Sequence, residues 1–83
     1  MFRNKKSKRF IFETNPPATE DAPRIFARLF ASDDGQKALA YLKTQTFMRA
    51  APMDAPTEQL RYIEGQRGLM ALILRLIERG QRA

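Results

Sequence analysis

Neither cysteine nor histidine occurs in these 83 residues. The first absence excludes disulfide staples and leaves the redox compartment unread. The second removes the commonest general base and the commonest zinc ligand together, so a Ser-His-Asp hydrolytic set cannot be assembled. The acids offer no substitute. Glu20-Asp21 and Asp33-Asp34 are adjacent pairs at expected helix starts, and nothing has the spacing of a carboxylate metal loop. Long apolar runs are missing too. The longest, LMALIL at 69–74, falls far short of the roughly 20 residues a bilayer span needs. The opening MFRNKKSKRF has neither the apolar stretch nor the small-residue cleavage site of a secretory signal. Together these gaps predict a non-catalytic protein, without metal, cofactor, small-molecule substrate or membrane contact, built in a cytoplasm.

The size adds a constraint. A chain this short holds one domain at most and buries only about 60% of its unfolded surface. Its own core is worth roughly 3–5 kcal/mol, and small domains usually recruit disulfides, a metal or a partner. With no cysteine, and with no metal site in view, oligomerisation or docking onto a partner is the remaining support.

The net charge of +6 comes from 15 Lys and Arg against 9 Asp and Glu. It is concentrated at one end. Arg3, Lys5, Lys6, Lys8 and Arg9 stand with no acid among residues 1–9, so the rest of the chain is nearly neutral. Three readings of this arm compete: a solvated terminus, a contact to an acidic protein surface, and a phosphate contact with the steep salt dependence of counterion release. Phe10 and Phe12 follow it and could stack on exposed bases. The run Thr14-Asn15-Pro16-Pro17 then favours extended, polyproline-like backbone. Residues 1–20 therefore read as a basic arm and an aromatic strap, with Phe10 and Phe12 as anchors on the helical core or on another subunit.

Residues 21–80 read as an all-α, three-helix domain, with 81–83 fraying. The first helix should begin at Asp21 or Ala22, with Pro23 in its first turn and Glu20 and Asp21 facing the positive end of its dipole. Ile25, Phe26, Leu29 and Phe30 supply one apolar face. Ser32 breaks this helix and caps the next, where Asp33 and Asp34 favour the dipole and Gly35 marks a tight entry. Ala38, Leu39, Leu42 and Thr46 line one side of the second helix, which should end near Met48 or Arg49. Pro52 and Pro56 mark a loop. Thr57 should cap the longest helix, on which Leu60, Ile63, Met70, Leu74 and Ile77 fall at heptad-like spacing. Gly80 should stop it.

Three features of this last helix point outward from a simple core. Gly65 and Gly68 each cost about 1 kcal/mol against alanine in a helix interior. Their spacing predicts close approach of another helix, in the fold or in an oligomer, against the alternative of a kink or tolerated surface glycines. Arg67 occupies the stripe between Ile63 and Met70. It either pairs with a carboxylate, Asp33 or Asp34 being candidates, or snorkels to water. Glu64 and Arg61 are spaced for a weak pair. The apolar stripe also widens through Leu69, Leu72, Ile73 and Leu76, more surface than two other helices easily cover. It is either an enclosed core helix or a docking strip.

SDDGQKALAYL at 32–42 and YIEGQRGLMALILRLIERG at 62–80 together resemble a family of small proteins of tailed bacteriophages, typified by one from a short-tailed Bordetella phage. The likeness spans about residues 24–80, with Phe26, Leu29 and Phe30 ahead of the first segment. It implies a morphogenesis or virion component, and it carries no catalytic residues. The expected function is thus a structural or accessory component of a tailed-phage particle, located in the virion and oligomeric or assembly-bound. It would contact portal, capsid or neck proteins, with the arm toward DNA or an acidic subunit face. Gly65, Gly68, Leu69, Leu72, Ile73 and Leu76, with Phe10 and Phe12, are the expected partner contacts. The alternative is a small DNA-binding packaging or regulatory factor.

Overall fold

Pro23 and Ser32 punctuate the first half of the chain. In the computed structural model, which describes residues 14–82, Pro23 sits in the first turn of α1 (Ala22–Ala31) and Ser32 separates it from α2 (Asp33–Thr46). The chain is all-α: α3 (Thr57–Arg82) completes three helices, with no strand among the described residues. Asp21 takes the N-cap place of α1 without a side-chain cap. Its carboxylate instead meets Arg24 at 3.4 Å in an exposed pair, of a kind that contributes little.

Ser32 builds the corner between α1 and α2. Its extended backbone ends the first helix. Its hydroxyl accepts from the Gly35 N–H at 2.9 Å and donates to the Leu29 carbonyl at 3.0 Å. One side chain thus satisfies an orphan donor of α2 and an orphan acceptor of α1. Gly35 is buried inside this corner. A Cβ there would lie 2.7 Å from the Phe30 Cα and against the Leu29 carbonyl oxygen, so the tight entry is a steric requirement.

The second half departs from expectation at both ends of α3. The Leu60 N–H donates to the Pro56 carbonyl at 3.1 Å, which gives Pro56 the cap place assigned to Thr57. At the other end the helix passes through Gly80 and continues to Arg82. Gly80 is therefore no stop signal. It is where α1 lies against α3: a Cβ on it would sit 2.7 Å from the Ala27 Cβ and on the Pro23 carbonyl oxygen. The α1–α3 pairing is the main helix contact, and α2 touches both less extensively.

The core is small. Among the described hydrophobic residues only Ile63, Met70 and Ile77 are buried, seven residues apart on α3, with Met70 the most enclosed at 2% exposure. Leu74 is half-buried, whereas Leu60 is exposed and leaves the expected stripe. On α1, Ile25, Phe26 and Phe30 are half-buried, but Leu29 turns outward. The Phe26 and Phe30 rings lie tilted, with centroids 6.3 Å apart. On α2, Leu39, Leu42 and Thr46 are half-buried while Ala38 is exposed, and the helix ends at Thr46, short of the expected Met48.

Alanine is the better helix former by about 1 kcal/mol, yet Gly80→Ala should destabilise. Overpacking against a fixed backbone carbonyl costs roughly 1–3 kcal/mol. The thermal midpoint, followed by far-UV circular dichroism, should fall by several degrees. An unchanged or raised midpoint would remove the close α1–α3 contact from this account.

Candidate docking surface

The side of α3 turned away from its buried seam carries large apolar groups in water. Tyr62, Leu69 and Leu72 are 65%, 61% and 43% exposed. Ile73 and Leu76, expected on the same strip, are half-buried. The wide stripe therefore divides: part of it closes against the other helices and Leu69 and Leu72 remain outside. Next to them α2 and α3 leave an open cleft of about 230 Å³. Leu42 and Thr46 line it from α2, and Leu69, Met70 and Ile73 from α3, with Gln45 and Gln66 supplying the polar groups. Gln66 also donates to the Tyr62 hydroxyl at 3.3 Å.

The two mid-helix glycines are exposed. Among the described residues, a Cβ built on Gly65 or Gly68 meets nothing within 4 Å, so neither glycine serves close packing between the three helices. Continuous helix runs through both, which excludes a break there.

Arg67 has a different partner from those expected. Its guanidinium donates to the Arg49 carbonyl at 2.8 Å and reaches Glu64 at 3.4 Å. Asp33 and Asp34 are not involved. Arg49 lies just beyond α2, where carbonyls lack intrahelical donors. Arg67 fills that need and ties the connecting loop to α3, with its side chain 35% exposed. Glu64 consequently pairs with Arg67, not Arg61.

Arg3, Lys5, Lys6, Lys8, Arg9, Phe10 and Phe12 lie outside the described residues. Among the described residues, no group of three or more acidic side chains is placed to hold a metal ion, and no helix is long and apolar enough to cross a membrane.

A family model described as Bbp19-like phage protein matches residues 26–82. The chain belongs to the Bbp19-like phage protein family. That agrees with what segments 32–42 and 62–80 implied. No curated protein and no solved structure matches the chain. The part shared with the Bbp19-like model runs from within α1 to the end of α3 and so includes the exposed strip, the cleft and Gly80 with Ala27, but not Pro23. Sequence reasoning missed Gly80 as a packing residue in this Bbp19-like chain, although one signal was present. Position 80 follows Ile77 by three and so extends the apolar stripe, where a glycine can mean close approach as well as termination. The Arg49 carbonyl left no trace in the sequence, because a backbone acceptor has no residue type.

Gly68→Ala should stabilise the chain by roughly 0.5–1 kcal/mol, since helix propensity improves and nothing crowds the new methyl. Chemical denaturation of the purified chain checks this. A loss of stability would mean that something packs on position 68.

Proposed function

We propose that this chain is a non-catalytic structural or accessory component of a tailed-phage particle, acting by protein–protein contact at the capsid, portal or neck. One observation carries the reading. Leu69 and Leu72 remain exposed on the longest helix while the described core holds only three buried apolar side chains. Covering the rest of these two partly exposed leucines would add stabilisation of the order of 1 kcal/mol each, about half the value for full burial of a leucine. A domain with so small a core gains most from a surface that covers them. Membership of a phage protein family supplies the setting. On this reading the protein is carried in the virion after assembly in the host cytoplasm, and the basic arm reaches packaged DNA or an acidic subunit face.

A second reading draws on the arm. Five basic residues without an acid among residues 1–9 suit phosphate contact, and a small DNA-binding packaging or regulatory factor would use them. The helical body gives that reading less support. The α2–α3 connection runs from 47 to 56, longer than the 3–4 residues usual in a helix-turn-helix, and α3 presents leucines outward.

Leu72→Asp should leave the circular dichroism spectrum helical and abolish recovery of the protein in assembled particles. Normal recovery would contradict the proposal. Deleting residues 1–9 separates the two readings. A packaging factor would lose its salt-sensitive retention on duplex DNA, whereas a component held by α3 would still be recovered in particles.

A further inference from the structure

The exposed side of α3 has a periodicity of its own. Tyr62, Gly65, Leu69, Leu72, Leu76 and Arg79 follow one another in alternating steps of three and four. That spacing sets side chains along one seam for a second helix. It is distinct from the Ile63–Met70–Ile77 seam that the fold buries. All six positions are exposed except Leu76, which is half-buried. Bulk and charge are unevenly distributed along it. The leucines occupy the middle and the C-terminal side, the glycine and the tyrosine ring lie toward the N-terminus, and the cation stands at the far end.

We propose that a second copy of this chain covers this seam, with the two α3 helices antiparallel about a two-fold axis passing between positions 70 and 71. This deepens the preceding proposal and rests on its reading of the outer face of α3 as a contact surface. In this register Leu69 meets the partner's Leu72, Leu76 meets the partner's Gly65, and Arg79 meets the partner's Tyr62. Two-fold symmetry makes each contact twice. Each pairing has a physical reason. The two leucine pairs form an apolar centre. Leu76 enters the open space above Gly65, where nothing among the described residues lies within 4 Å of a would-be Cβ. The Arg79 guanidinium can lie over the face of the Tyr62 ring, a favourable cation–π arrangement. Parallel pairing lacks these features: it would set Arg79 against Arg79 and leave a void between two glycines. The seam is thus complementary to itself only when reversed.

The test uses the full chain, which has no native cysteine. Chains carrying Leu69→Cys and chains carrying Leu72→Cys are oxidised separately and as an equal mixture. The antiparallel register brings position 69 near position 72 of the partner, within reach of a disulfide. The mixture should therefore cross-link several-fold more than either variant alone. Sedimentation equilibrium of the unsubstituted chain should give twice the 9.6 kDa chain mass, and Leu72→Asp should return it to one chain mass with helicity kept. Cross-linking as strong within a single variant as in the mixture would overturn the antiparallel arrangement. A single chain mass for the unsubstituted protein would overturn self-association altogether. If Leu72→Asp is then still lost from particles, only the second-copy inference falls and another particle protein covers the seam. If Leu72→Asp is recovered normally, the proposed function falls with it.

Discussion

The carbonyl of Pro23 rests where any side chain at position 80 would have to be. This contact lets α1 lie directly on the last turns of α3, and the rest of the fold follows from it. Pro23 starts α1 because the missing N–H costs nothing in a first turn. Ala27, one turn later, is small enough to extend the contact. Once α1 is seated, the Ser32 corner delivers α2, with Gly35 allowing the turn to close against Phe30. Arg67 then fastens the loop after α2 to α3 through the Arg49 carbonyl. Each junction is made by a glycine that permits close approach or by a polar group that satisfies an orphan backbone atom.

What these junctions do not supply is bulk. Among the described residues, three buried hydrophobic side chains on one seam are a thin core for three helices. Helices in proteins draw most of their stability from burying an apolar face, and α3 has two such faces, of which the fold closes one. The opposite face combines two leucines in water, a tyrosine and a glycine with free space above it. Those features make poor sense for a helix that ends its contacts within the chain. They make good sense for one that meets another helix there, in a protein from a phage family.

Much of the architecture was legible in the sequence because its signals are local. Pro23, Ser32 and the Asp33-Asp34 pair mark helix starts through backbone chemistry that depends only on neighbouring residues. The Ile63–Met70–Ile77 spacing reads as a seam for the same reason. The failures share a different cause. Gly80 reads as a terminator because a glycine's local preference and its role in close approach look alike until the partner helix is placed. For Arg67 the sequence offers a carboxylate partner or water, since it shows acidic side chains and hides free carbonyls. Thr57 lost the cap place to Pro56, whose carbonyl acts without any side-chain signature. The exposed strip was read as a unit, but burial divided it: Ile73 and Leu76 are half-covered and Leu69 and Leu72 are not. Helical spacing reports which residues share a side and is silent on how far each neighbouring helix extends.

The central claim is that this fold is completed across the outer face of α3 by association. Association of folded chains makes stability depend on concentration through mass action. The most direct measurement is the thermal unfolding midpoint of the full chain over a wide range of protein concentration. The account predicts a midpoint that rises steadily with concentration, and a midpoint that stays constant over the whole range would contradict it.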